Sequence, residues 1–217
     1  MDGFCIIGLG NFGTNLALTL SKNGHQVLVI DESQEKIDEI GDSVTNAVCV
    51  DASNEAVLRA AGVKAYDSCV ICMEKNLQDT ILTTLILKEM GIKRIVCRAS
   101  DERQKKVLMK VGADMVILPE KESGTKLAYT LAKRDVLDYF CPSDNFSIAE
   151  IRTPKNWIGR SIAEIDVRKK YGVNVIAVCP EGEDSFELFS DPTRAFKENE
   201  VLVIAGSSKD MQKLTGK

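Results

Sequence analysis

Residues 4–13, Phe4-Cys5-Ile6-Ile7-Gly8-Leu9-Gly10-Asn11-Phe12-Gly13, decide the fold. An apolar run long enough for one strand ends in glycines spaced G-x-G-x-x-G, and Phe12, Leu16 and Leu20 follow at helical spacing. In such a strand-turn-helix the first glycine makes the tight turn and the second lets a phosphate approach the backbone. The third lets helix and strand pack closely, and the exposed N–H groups at the helix start meet the negative charge. An acid at the end of the second strand completes the pattern, because it can accept hydrogen bonds from ribose hydroxyls. Asp31 stands there, at the end of QVLVID (26–31). An acid at that point favours an unphosphorylated ribose, hence NAD or an adenosine nucleotide over NADP. Capping the helix that starts near Ser33 is a second role open to Asp31.

Outward from this turn the unit repeats. Further apolar runs lie at AVCVD (47–51), SCVICM (68–73), RIVCRA (94–99) and DMVILP (114–119). Between them fall helical spacings such as Ile37/Ile40, Val57/Leu58/Ala61, Ile81/Leu82/Leu85/Ile86 and Val107/Leu108/Val111. Glycines in KNGH, EIGD, AAGV, EMGI and KVGA mark the expected helix ends. Six strands alternating with helices predict an α/β domain with a doubly wound, parallel six-stranded Rossmann-type sheet. Ligands of such sheets bind beyond the carboxyl ends of the strands. Asp51-Ala52-Ser53, the Met73-Glu74-Lys75-Asn76 loop and Arg98 stand at those ends.

Composition narrows the function. Of 217 residues 44% are hydrophobic and 28% charged, with 28 basic against 32 acidic side chains and a net charge of −4. That balance is ordinary for a soluble globular chain and lacks the basic surface a nucleic-acid partner calls for. No apolar run approaches the roughly 18 residues of a membrane helix, which predicts a cytoplasmic protein without an anchor of its own. Seven cysteines lie mostly in apolar strand-like segments, where a thiol is a small hydrophobe. Cys69 and Cys72 fall in one extended run and project to opposite faces, so they can share neither a metal nor a disulfide. The single histidine, His25, sits in a turn on the far side of the sheet from the strand ends. A binding protein therefore fits better than an oxidoreductase.

A helical stretch is expected from Pro119 to Tyr139, with Leu127, Leu131, Val136 and Leu137 as its stripe. The polar turn CPSDN (141–145) is read as a domain boundary. Beyond it, FSIAEIR, VNVIAV, FELF and VLVIAG, with a short helix at IAEI, predict a smaller α+β domain over 141–217 whose modest core calls for a partner surface.

The segments FCIIGLGNFG, VLVIDES, VCVDASNE, NLQDTILTTLILKEMG and KVGADMVILPEK, with IGRSIAEIDVRKKYGVNVIAV and ENEVLVIAG, span nearly the whole chain. Together they resemble the cytosolic regulatory subunits of bacterial Trk/Ktr potassium uptake systems, which join an RCK N-domain to an RCK C-domain. The resemblance implies a non-enzymatic gating subunit, peripheral at the inner face of the membrane. Its dimers, paired through the crossover helix of residues 1–140, would build an octameric ring under a membrane potassium-translocating subunit. Gly8, Leu9, Gly10, Asn11, Phe12 and Gly13 would then line the phosphates, Asp31 and Glu32 the ribose, and Asp51 and Ala52 the adenine. Met73, Glu74, Lys75 and Asn76 would close over the nucleotide, Arg98 would lie near the phosphates, and Glu120 would help hold a cation beside them. Asn11 departs from the arginine that many Ktr-type members carry. It offers a hydrogen bond but no charge, which sets NAD or NADH beside ATP and ADP as expected ligands. Cyclic di-AMP is a further implied ligand, near Arg168 and the Val173–Ile176 strand. An NAD(H)-dependent oxidoreductase and a regulatory subunit of another cation transporter are the competing readings.

Overall fold

The computed structural model describes residues 3–73, 77–132, 136–143, 145–183 and 185–215. It divides into two compact units, Met1–Lys121 and Glu122–Lys217. In the first unit β1 (Gly3–Ile7), α1 (Asn11–Lys22), β2 (Gln26–Asp31), α2 (Gln34–Ile40), β3 (Asn46–Cys49) and α3 (Glu55–Ala60) come first. They are followed by β4 (Ser68–Ile71), α4 (Leu77–Glu89), β5 (Arg94–Arg98), α5 (Glu102–Val111) and β6 (Met115–Ile117). Helix α6 (Pro119–Ala132) begins in this unit.

All six strands pair in parallel, in the order β3-β2-β1-β4-β5-β6. The doubly wound sheet expected from the alternating pattern is present. Both faces are covered, as a parallel sheet requires. Cys5, Ile7, Leu28, Ile30, Cys69, Ile71 and Cys97 pack on one side. Ile6, Val27, Val29, Val70 and Cys72 pack on the other. Cys69 and Cys72 thus fall on opposite faces, and burial pushes the Cys5 thiol up and that of Cys97 to about 11. Of the five glycines read as helix ends, Gly24, Gly62, Gly91 and Gly112 are left-handed, whereas Gly41 keeps a helical φ of −52° and carries α2 into a short 3-10 turn.

The second unit contains β7 (Val136–Ser143), β8 (Phe146–Arg152), α7 (Ile162–Ile165), α8 (Val167–Tyr171), β9 (Val173–Pro180), β10 (Glu187–Leu188), β11 (Glu200–Ser207) and α9 (Ser208–Thr215). Its strands form an antiparallel sheet in the order β10-β9-β11-β8-β7. Trp157 and Phe196, fully buried and 5.4 Å apart between ring centres, sit in its core with Leu202, Ile204 and Met211.

The structure corrects the helix expected over 119–139. It ends at Ala132, and Val136 and Leu137 begin a strand instead. Val136 and Tyr139 are buried in register with β8, which supplies hydrogen bonds that local spacing does not reveal. The CPSDN segment is likewise not all turn, since residues 141–143 continue β7 and Ser143 faces Phe146 across the hairpin. The side chain of Cys141 lies outside the described residues.

Candidate functional site

The site grows from the turn after β1. Gly8 has φ +97°, a region that side chains rarely adopt, and a Cβ there would lie 2.9 Å from the Met73 nitrogen. A Cβ on Gly13 would lie 2.0 Å from the Gly8 carbonyl oxygen and 3.2 Å from the Cys72 Cβ. These two glycines let α1 start hard against β1 and the end of β4. Gly10 differs, because its φ of −76° and ψ of −180° suit any residue. It is the residue that caps α1. It offers no side-chain acceptor to the helix, and no acid stands in the first turn. The first N–H groups of α1 have no partner within the helix, so the turn presents uncapped donors and a positive dipole end.

Asp31 holds the other side. Its Oδ2 accepts from the Leu9 N–H at 2.6 Å and its Oδ1 from the Ser33 N–H at 2.9 Å. The carboxylate thereby ties the end of β2 to the glycine turn and reaches the residue that caps α2. The Lys36 ammonium stands 3.5 Å from Oδ2. A carboxylate oxygen has two acceptor positions, so Oδ1 keeps one for a ribose hydroxyl, and Oδ2 gains one when Lys36 swings away.

A cleft of about 180 Å³ opens between these elements. Of the residues singled out in the sequence, Gly8, Gly10, Asp31, Glu32, Ala52 and Met73 line it. Gly13 lies behind it, and Leu9 turns its buried side chain into the core while its N–H serves Asp31. The ring of Phe12 packs against the core cluster of Ile6, and Asn11 is exposed. Asp51 is not in the lining. Its carboxylate accepts from the Ser53 N–H and hydroxyl, and these bonds hold its pKa below the usual carboxylate range. Glu74, Lys75 and Asn76 lie outside the described residues.

Arg98 ends β5 and is also not in the cleft lining. Its guanidinium pairs with Glu120 in the first turn of α6, which lowers the Glu120 pKa. Among the described residues no three His, Cys, Asp or Glu side chains come together as a metal site. The Glu120 carboxylate is engaged by Arg98.

Sequence reading missed Ile7, Ile30, Lys36, Val50, Cys72 and Asp79, which also line the cleft. Lys36 stands in the first helical turn after Asp31, and Asp79 is the acid in the first turn of α4. Those positions were the available signal. Among the described residues no helix is long and apolar enough to cross a membrane.

Residues 4–119 match the TrkA-N domain and residues 147–216 the TrkA-C domain. Ktr system potassium uptake protein A of Bacillus subtilis (strain 168) is 36% identical over 210 residues, which covers 97% of this chain and 94% of that protein. Ktr system potassium uptake protein C of the same organism is 32% identical over 212 residues, with the same two coverages. Among solved structures, the GsuK RCK domain superposes with a TM-score of 0.67 at 20% identity over 99% of this chain and 47% of its own. The GsuK channel bound to NAD gives 0.68 at 19% identity, over 100% of this chain and 40% of its own. These structures share the fold, and the chain spans less than half of their length.

Proposed function

The chain belongs to the family that joins a TrkA-N domain to a TrkA-C domain, and on that premise we propose that it is the cytosolic nucleotide-binding subunit that gates a membrane potassium-uptake partner. One observation carries the reading: the uncapped start of α1, freed by Gly10, opens on the same cleft as the Asp31 carboxylate. Phosphate oxygens suit the first and ribose hydroxyls the second. The ligand is an adenine nucleotide, ATP/ADP or NAD/NADH. Gly8, Gly10 and the backbone N–H groups of Asn11, Phe12 and Gly13 serve the phosphates, Asp31 and Glu32 the ribose, and Ala52 and Met73 the base. Described acid and base groups of the cleft wall are carboxylates, one lysine and the buried Cys72 thiol, with no histidine or tyrosine, which favours binding over catalysis.

A ligand moves a two-state assembly only by its difference in affinity for the two shapes. A change from 1:99 to 99:1 takes about 5.5 kcal/mol. Several coupled sites of modest preference reach that sum together, which gives a ring of copies its physical purpose. Leu127 and Leu131 on α6 are 56% and 75% exposed, an apolar pair suited to joining two chains as the first step toward that ring. In the second unit Arg168, Asn174 and Ile176 are exposed. We assign that face to pairing of C-terminal units, with cyclic di-AMP as its candidate ligand.

The reading is tested with the chain and its membrane partner reconstituted together in vesicles. Potassium flux should differ at least severalfold between vesicles with and without saturating adenine nucleotide, and only when the chain is present. The chain alone should bind NADH without turning it over. Flux indifferent to nucleotide would contradict the gating role, and steady NADH consumption would favour the oxidoreductase.

A further inference from the structure

The cleft carries a charge that the nucleotide reading leaves unused. Asp79, half-buried in the first turn of α4, lines the same cleft as Gly8, Gly10 and Asp31. Among the described residues it has no hydrogen-bond or ion-pair partner. Its place follows from the strand order. β1 lies between β2, which carries Asp31, and β4, which leads into α4. A ligand whose ribose sits at Asp31 and whose phosphates sit on the turn after β1 therefore extends toward Asp79.

The charges around that path are unbalanced. Among the described residues Asp31, Glu32 and Asp79 face the cleft against Lys36, and Lys36 already stands beside Asp31. Asn11 brings no charge to the turn, and Arg98 is engaged by Glu120 away from the lining. The start of α1 supplies the equivalent of only about half a positive charge. One or two phosphates can be held there. A terminal phosphate, with its extra charge, would be directed toward the Asp79 carboxylate, and among the described lining residues no cation but Lys36 could offset it.

We propose that Asp79 is a specificity-determining residue that turns the cleft against a free terminal phosphate. The cleft then prefers a dinucleotide, whose two phosphates are both esterified, over a nucleoside triphosphate. The proposal rests on the nucleotide reading above and deepens it by naming the ligand class.

The test is calorimetric titration of the full chain with AMP, ADP, ATP and NAD, with EDTA present so that divalent cations do not mask phosphate charge. Asp79→Asn keeps the shape and removes the charge. It should tighten ATP by about fivefold or more, the size of one unit of charge repulsion at several ångströms in a partly wet cleft. It should tighten NAD and AMP by at most about twofold. Asp79→Glu, which keeps the charge, should retain the native ATP-to-NAD ratio, and the ATP gain in Asp79→Asn should shrink at high salt. An unchanged ratio in Asp79→Asn, or an equal shift in Asp79→Glu, would overturn the proposal. Failure of the native chain to bind any of the four ligands would instead overturn the nucleotide reading itself.

Discussion

Gly13→Ala should disrupt the first unit more than any other single methyl group at the cleft. The added Cβ would lie 2.0 Å from the Gly8 carbonyl oxygen, a distance that no rotation of the new side chain can relieve. Helix α1 must then move away from β1, and Cys72, whose Cβ would be 3.2 Å distant, limits the escape. Overpacking of this kind costs about 1–3 kcal/mol, and a backbone collision lies at the upper end. For a unit of this size that corresponds to a fall in Tm of roughly 5–15 °C. Nucleotide affinity should fall at least tenfold, because the same movement takes the helix start away from the cleft. Gly41→Ala is the matching control. Gly41 already has helical angles and open space around it, so alanine there should stabilise by about 0.4–1 kcal/mol through the unfolded chain. Thermal melts of both variants check the pair, and equal Tm values would show that close packing of α1 on β1 does not matter.

In the second unit the largest expected effect belongs to Glu200. It is 5% exposed at the start of β11 and faces Arg194 through both carboxylate oxygens. Its Oε2 also accepts the Lys197 N–H at 2.9 Å, and the residue's own carbonyl accepts from the Thr153 N–H and hydroxyl. One side chain thus pins the 194–200 loop onto the sheet and holds Phe196 against Trp157. Removing one partner of a buried pair strands the other, at a cost of about 3–5 kcal/mol. Arg194 is 33% exposed and regains some water, so Glu200→Ala should cost about 3 kcal/mol. Glu200→Gln keeps acceptors for Lys197 and should lose less. Trp157 is the sole tryptophan and lies in this core, so its fluorescence in a urea titration reports the second unit. A midpoint unmoved by Glu200→Ala would show that the pair is dispensable.

The sheet was readable because its signals are local. Each strand of the first unit is a short apolar run followed by a helix-spaced stretch, and G-x-G-x-x-G with Asp31 identifies the end of the sheet where a ligand sits. The orientation of individual side chains was less readable. Val50 and Ala52 face the cleft while Asp51, between them, turns away to Ser53, an alternation that reverses if the strand end shifts by one residue. Arg98 and Glu120 meet each other because β5 and α6 converge, which their sequence separation conceals. Asp79 looks from sequence like an ordinary first-turn acid, and only the folding of α4 beside the glycine turn brings it into the cleft. The apolar spacing of Leu127, Leu131, Val136 and Leu137 fits one long helix as well as a helix followed by a strand. The distant partner β8 decides between them.

Calorimetric titration of adenine nucleotide into the native chain and into Gly10→Ala tests the central assignment most directly. Gly10 has backbone angles open to alanine, and thermal melts of both proteins show whether the fold is kept. A loss of affinity in a folded variant then reads the methyl group placed where phosphate must approach. Saturable binding of one nucleotide per native chain, weakened at least tenfold in Gly10→Ala, is the expected result. Undiminished affinity in Gly10→Ala would contradict the placement of the nucleotide on the turn after β1.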